Sequence, residues 1–395
     1  MSEKIHLWPE EIVTSSDSIS ISAIIEMPGG KRQNLWYRLP AVYRDAVTIS
    51  CDPFVLGIIF RVMKNPVDLY VHGQVSPMLL RNLVEFMDAW KAWRPTKYNR
   101  VEISVNAESK QPSLRTDLTI MGFSGGCDST FTAWRHRSGH AGRQQANLVA
   151  GVLVHGFDIP LEEPDVFARA AEKARLTLSS IGMELIPIAT NFRAMGGNWE
   201  DAHGAGLASC LMLLQERYSA GLIACGYKYS DLPIPPYGTN PITDWMMSSD
   251  SFRIITDGAA YTKIEKIKLI SEWPEALKYL RVCWSGEHKD RNCCRCQKCV
   301  VAMLSFRLVG LPLPESFEHD ISDKEIMRLR YHDQAQIRSM RILAERARNA
   351  KIHASWVRAL ELSVWNNRIR LALMQRIPFR NLARRIYRFF LPPLQ

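Results

Sequence analysis

No apolar run in the 395 residues is long enough to span a bilayer. The opening residues Met1-Ser2-Glu3-Lys4-Ile5-His6 lack the basic-then-apolar order of an export signal, which makes the cytoplasm the expected compartment. There is no internal repeat and no low-complexity tract, so a solenoid is excluded. Acidic residues are in short supply: 40 Asp and Glu face 50 Lys and Arg, a net charge of +10. That surplus favours a polyanionic substrate, nucleic acid or an anionic membrane surface, without deciding the fold. What is present is otherwise ordinary for a soluble globular protein, with 47% hydrophobic and 23% charged residues. The length suggests two or three domains.

One segment stands out. Leu118-Thr119-Ile120-Met121 is apolar and runs into Phe123-Ser124-Gly125-Gly126-Cys127-Asp128-Ser129-Thr130. A strand that breaks into Ser-Gly-Gly-x-Asp-Ser and then opens a helix makes an anion site. The glycines allow tight backbone geometry and close approach of a ligand. Amides at the start of the helix point outward, where the helix dipole also favours negative charge. Ser124, Ser129 and Thr130 add hydroxyl donors. Asp128 cannot bind phosphate itself, so it is expected to hold Mg²⁺ or to orient the loop. No lysine follows the second glycine, so this is not a Walker A loop.

Residues 113 to about 280 alternate strand and helix. Leu118–Phe123, Leu148–His155, Glu184–Ala189, Gly221–Gly226 and Phe252–Thr256 read as strands, with helices over Asp128–Arg137, Glu163–Ile181 and Asp201–Tyr218 between them. This order predicts an α/β fold with a doubly wound parallel five-stranded sheet. In such sheets ligands bind at the carboxyl ends of the strands, and the glycine loop ends the first one. Residues 1–112 read as an α+β domain. Ser18–Ile24 alternates at period two, Pro28-Gly29-Gly30-Lys31 turns, Asn34–Leu39 returns, and Val67–Val71 is a further strand. Ser76 caps an amphipathic helix over Pro77–Trp93.

Five of the nine cysteines crowd into residues 283–299. Without an export signal, such crowding reads as a metal site rather than disulfides. Cys283, Cys293, Cys296 and Cys299 make the natural quartet for a closed, structural Zn²⁺ site, with Cys294 spare or exchanging with Cys293. An iron–sulfur cluster is the alternative use of four thiolates.

The two motifs together, with an α/β domain between them, resemble the PP-loop ATP pyrophosphatase superfamily, and within it the 7-cyano-7-deazaguanine synthase family. The resemblance covers about residues 116–310. It implies an adenine nucleotide α-hydrolase-like ATP-binding domain over 113–310 that includes the zinc module. The family's phosphate residues carry over onto Ser124, Gly125, Gly126, Asp128 and Ser129, and its zinc ligands onto the four cysteines. It implies ATP, Mg²⁺ and Zn²⁺, and adenylation of a carboxylate or amide with release of pyrophosphate. C–N bond formation and loss of AMP then follow, with ammonia as a possible donor. The synthase lacks counterparts of residues 1–112 and of the basic tail, so a different or larger substrate is expected here.

Several further residues are candidates. His155, at the end of the second strand, lies where the superfamily places adenine, or serves a plain loop. Arg193 and His203 lie where a phosphate or substrate would sit; a hydrogen-bonded core histidine is the plainer reading of His203. Lys263 and Lys266 open a helix where superfamily members meet phosphates, or else line a solvated face. Residues 311–395 read as a basic helical region. Its end interleaves Arg380, Arg384, Arg385 and Arg388 with Ile386, Tyr387, Phe389 and Phe390. Packing on a domain or subunit is favoured there over membrane or nucleic-acid binding. A homo-oligomer or protein partner is expected through this tail or the N-terminal domain. Two rival functions stand beside adenylation: ATP-dependent thiolation of RNA or a metabolite, and a non-catalytic nucleotide-binding module.

Overall fold

The computed structural model describes residues 4–109, 116–283, 285–331 and 334–376. They form two compact units, Met1–Asn292 with Pro314–Ser316, and Cys293–Leu313 with Phe317 onward. The first unit is α/β with one large mixed sheet. In chain order it contains β1 (Ile5–Pro9), β2 (Val13–Thr14), β3 (Ser18–Glu26), β4 (Arg32–Pro40), α1 (Asp52–Lys64), β5 (Leu69–Val75), α2 (Pro77–Trp93) and β6 (Ile103–Glu108). It continues with β7 (Leu118–Gly122), α3 (Cys127–Arg137), β8 (Asn147–His155), α4 (Pro164–Ser179), β9 (Glu184–Thr190) and α5 (Trp199–Met212). Last come β10 (Ala220–Ala224), β11 (Arg253–Asp257), α6 (Lys263–Ile270) and α7 (Pro274–Lys278).

The strands lie in the order β11-β10-β7-β8-β9-β4-β3-β1-β5-β6, with β2 on β3. The five strands from β7 to β11 pair in parallel. The expected five-stranded sheet does not stand by itself, however. β4 pairs with β9 antiparallel, Tyr37 opposite Thr190 and Arg38 opposite Ala189, and the sheet runs on to eleven strands. The Asn191 side chain extends this junction: its Oδ1 accepts the Trp36 N–H at 2.9 Å and its Nδ2 donates to the Asn34 carbonyl at 2.7 Å. The N-terminal strands, expected to form a domain of their own, therefore share a sheet with β7–β11. Local periodicity identifies a strand but not its partner, so the sequence did not show this. The expected boundary at 112 lies outside the described residues, and the compact units divide at 292 rather than 310.

Burial explains the two halves of the sheet. β8 is buried on both faces for most of its length, as a strand covered on both sides must be. β3 alternates, with Ile19, Ile21, Ala23 and Ile25 in the core and serines on the other face. α2 spans the predicted residues, and Ser76 Oγ caps it by accepting the Leu79 N–H. α1 packs on α5, and α3 packs on α6.

A buried carboxylate fastens residues 94–98 to α5. Asp201, fully buried, receives Arg94 Nε at 3.1 Å, Lys97 Nζ at 2.5 Å and Tyr98 Oη at 2.8 Å. Three donors offset the desolvation of one anion. Gly204, one turn along α5, sits so close to the loop that follows β10 that a Cβ would lie 1.9 Å from the Gly238 carbonyl oxygen.

The second unit is helical among its described residues: α8 (Gln297–Leu308), α9 (Asp323–Arg328), α10 (Gln334–Asn349) and α11 (Ser355–Arg376). α11 packs on α9 and α10. Asn367 on α11 accepts the Tyr331 N–H at 3.0 Å and donates to the Leu329 carbonyl at 2.8 Å. The arginine- and aromatic-rich stretch from Arg380 to Phe390 lies outside the described residues. Among the described residues no helix is long and apolar enough to cross a membrane.

Replacing Asp201 with Ala should lower stability by about 2–4 kcal/mol, because the cations and the tyrosine lose their shared partner. A urea midpoint unchanged from wild type would show that this carboxylate is not a fastening point.

Candidate functional site

The chain enters the parallel strands in the middle. β7 is followed outward on one side by β8 and β9, and on the other by β10 and β11. The order in which strands are added therefore reverses between β7 and β10, the position at which open α/β sheets form a crevice. The Ser124–Gly126 loop leaves β7 at that point. Gly125 has a φ of +74°, in the left-handed region that a side chain would disfavour. Gly126 then caps α3 without any side-chain cap. Ser124 is exposed, and its Oγ accepts the Gly126 N–H at 3.3 Å and lies 3.3 Å from Ser129 Oγ. Ser129 is buried and donates to the Gly126 carbonyl at 3.1 Å. Thr130 is also buried, so Ser124 is the one exposed hydroxyl of the three expected.

Asp128, in the first turn of α3, makes the central electrostatic contact. Lys263 Nζ reaches its Oδ2 at 3.0 Å and Lys266 Nζ its Oδ1 at 2.9 Å. Lys266 also donates to the Cys225 carbonyl just beyond β10. Burial would raise the Asp128 carboxyl, but the two ammonium groups outweigh it and hold it well below the carboxylate range. Burial disfavours the Lys263 charge, yet Asp128 raises that ammonium above its ordinary value. The capping box at Thr262 and Glu265 starts α6 at this place, and three-residue spacing puts the two lysines on one helix face. Lys266 is 1% exposed in its side chain and Lys263 36%, so Lys263 is the cation a ligand could draw away. Both oxygens of Asp128 are occupied by lysine. The pair of contacts ties α3 to α6 through this carboxylate.

The other expected residues are placed elsewhere around the strand ends. His155 Nε2 lies 2.8 Å from the Pro160 carbonyl, and its ring stacks on Phe167, so it shapes its own loop. Arg193 and His203 meet around Trp199. Arg193 donates to the Phe157 carbonyl at 2.9 Å and its guanidinium lies 4.8 Å from the Trp199 ring. His203 Nδ1 is 3.0 Å from the Trp199 carbonyl, and Nε2 is 3.4 Å from Thr239 Oγ1. Cys127 is buried, and burial pushes its thiol up to about 11, which removes it as a nucleophile near neutral pH.

Two groups escaped sequence reasoning. Arg281 is buried and grips the loop through the carbonyls of Ser124 and Gly125. Asp257, at the end of β11, gathers Thr132 Oγ1 at 2.8 Å, Arg135 Nη1 at 3.0 Å and His136 Nε2 at 3.2 Å. Because His136 Nδ1 accepts the Ala146 N–H, its proton sits on Nε2. No spacing rule links these residues; the only local hint was that Arg281 precedes the cysteine stretch.

The chain matches no family model, no curated protein and no solved structure with which it was compared. The reading of the site therefore rests on its own geometry and motifs.

Cys283, Cys293, Cys296 and Cys299 bring their sulfurs within 4.8 Å of one another. Cys293 and Cys299 Sγ are 3.9 Å apart, and Cys296 and Cys299 3.6 Å. A tetrahedral zinc thiolate with Zn–S near 2.3 Å has sulfur–sulfur edges of about 3.8 Å. The cluster thus fits a metal such as zinc, and four protein ligands would leave no open position for catalysis. Cys294 stands outside the quartet. Its φ of +58° turns the chain between Cys293 and Cys296. That settles which of the two adjacent cysteines belongs to the group.

Atomic absorption should find about one zinc per purified chain, with Cys296→Ser removing most of it. Zinc content unchanged in that variant would exclude the quartet. A second outcome concerns Asp244, fully buried beside the β10–β11 end. Burial is the largest cause raising its carboxyl, to about 7, although Asn240 N–H and Thr256 Oγ1 donate to it. Folded and unfolded chains both hold this proton below about pH 4. Between about pH 4 and 7 only the folded chain does, so stability falls as pH rises, by about 4 kcal/mol at most. The difference in urea midpoint between wild type and Asp244→Asn should therefore change across that window and level off above it; a constant difference would count against a buried neutral Asp244.

Proposed function

We propose that this protein is a member of the PP-loop ATP pyrophosphatase superfamily that adenylates a carboxylate or amide with ATP and forms a C–N bond. The observation that carries the reading is the Ser124–Gly126 loop. It combines a left-handed glycine with an uncapped helix start at the sheet's reversal point, beside two lysines. Such a place suits a polyphosphate, because amides and the helix dipole favour anions there. The zinc-type cluster that follows supports a resemblance to 7-cyano-7-deazaguanine synthases.

In this reading the loop amides and Ser124 hold the β- and γ-phosphates. A substrate oxygen attacks the α-phosphorus, the bond to the bridging oxygen of the β-phosphate breaks, and pyrophosphate leaves. Ammonia or an amine then attacks the acyl carbon, AMP departs, and the nitrogen gives its proton to solvent. Lys263 moves from Asp128 to a phosphate oxygen as negative charge builds up, while Lys266 keeps Asp128 and α6 in place. Positioning and charge stabilisation supply most of such catalysis. Asp128, whose Oδ2 Lys263 releases, is the residue that would hold Mg²⁺, and the ion would share the charge of the phosphates. Zn²⁺ is structural. The buried Cys127 thiol weighs against the thiolation rival.

Phosphorus NMR with Mg-ATP, ammonium and a panel of carboxylates that includes 7-carboxy-7-deazaguanine tests the reading. AMP and pyrophosphate should appear only with the right acceptor. Lys263→Ala should lower kcat/KM by roughly 10²–10³ with a smaller effect on ATP binding. Gly126→Asp should abolish nucleotide binding by placing a carboxylate in the anion site. ADP and phosphate as products would refute α-phosphate chemistry, and tight ATP binding without turnover on any acceptor would favour the binding module.

A further inference from the structure

Three donors of Arg281 are spent on backbone carbonyls. Its own N–H donates to Gly125 at 2.8 Å. Its guanidinium donates from Nη2 to Ser124 at 2.9 Å and from Nη1 to Lys289 at 3.0 Å. The residue is only 8% exposed, and its Cβ lies 3.7 Å from where a Gly125 Cβ would be. A peptide plane is rigid, so a carbonyl held on one side aims the next N–H to the other. Pinning the Ser124 and Gly125 carbonyls thus fixes the directions of the Gly125 and Gly126 amides. An anion would meet the Gly125 amide there, and the Gly126 amide on leaving its 3.3 Å bond to Ser124 Oγ.

Two residues beyond Arg281 stands Cys283, a member of the metal-type quartet. The intervening chain is held by one side chain. Asn292 Oδ1 accepts the N–H of Val282 at 2.9 Å and of Cys283 at 3.3 Å. Its Nδ2 donates to the carbonyls of Leu280 at 2.8 Å and Ser316 at 3.0 Å. Residues 280–283 are therefore a short strap with a metal-ligand cysteine at one end and the anion loop at the other.

We propose that Arg281 is a positioning residue that transmits zinc occupancy of the cysteine quartet to the Ser124–Gly126 loop, so that the loop's affinity for a nucleoside triphosphate depends on the metal. The nucleotide part of this proposal rests on the function argued above; the effect on loop order does not. Zinc bound to Cys283 would fix one end of the strap, and without it Arg281 would lose its register on the two carbonyls.

The experiment compares full-length wild type, Arg281→Met and Arg281→Lys, each zinc-loaded and chelator-stripped. Two readouts are used: amide hydrogen exchange in the peptide covering 123–128, and the ATP dissociation constant by calorimetry. In wild type, stripping should speed exchange in that peptide and weaken ATP binding roughly tenfold. Loaded Arg281→Met should already show both changes, and stripping should add little further. Arg281→Lys should recover part of the protection, because it keeps a cation but not the two-pronged geometry. If loaded Arg281→Met matches wild type in both readouts, the proposal is overturned, even where stripping unfolds the chain. It is also overturned if stripping acts equally on wild type and Arg281→Met. Should no form bind ATP while exchange follows the expected pattern, the strap stands and the nucleotide reading fails.

Discussion

Asp128 is the charge on which the packing beside the glycine loop depends. It sits at the start of α3, where the helix dipole favours an anion, and it draws both Lys263 and Lys266 from α6. Lys266 is buried and reaches on to the Cys225 carbonyl, so one ion triad ties together α3, α6 and the end of β10. Removing a partner from such a group would strand a buried charge. The arrangement fixes α6 against the start of α3 and keeps one cation, Lys263, partly exposed.

The surrounding sheet extends that rigidity. β7 lies between β8 and β10, and the same hydrogen-bonded surface runs through β9 into the N-terminal strands. The N-terminal residues are thus part of the same sheet as β7–β11. Through β4, Asn191 and the Asp201 cluster, they support the ends of β9 and α5, where Arg193 and His203 are found.

Much of the local structure could be read from the residues. Alternation over Ser18–Ile24 marked β3, Ser76 marked the start of α2, and the Ser-Gly-Gly stretch marked a strand-to-helix turn. The cysteine spacing marked a quartet, but it left Cys293 and Cys294 interchangeable until the backbone turn at Cys294 separated them. Lysines at 263 and 266 were legible as candidates. Their partner was not: the pairing of both with Asp128 appears only in the folded chain.

The sequence by itself determined the kinds of element, the anion-type loop and the metal-type cluster. Each depends on neighbours a few residues apart, through side-chain periodicity, capping or ligand spacing. Only the tertiary structure decided the continuity of the sheet, the triad around Asp128 and the grip of Arg281 on the loop. Those contacts join residues far apart, 138 positions for Lys266 and Asp128 and 157 for Arg281 and Ser124. A hydrogen bond over such a separation leaves no periodic trace in the chain, because it is selected by the packing of the strands and helices that carry its two ends.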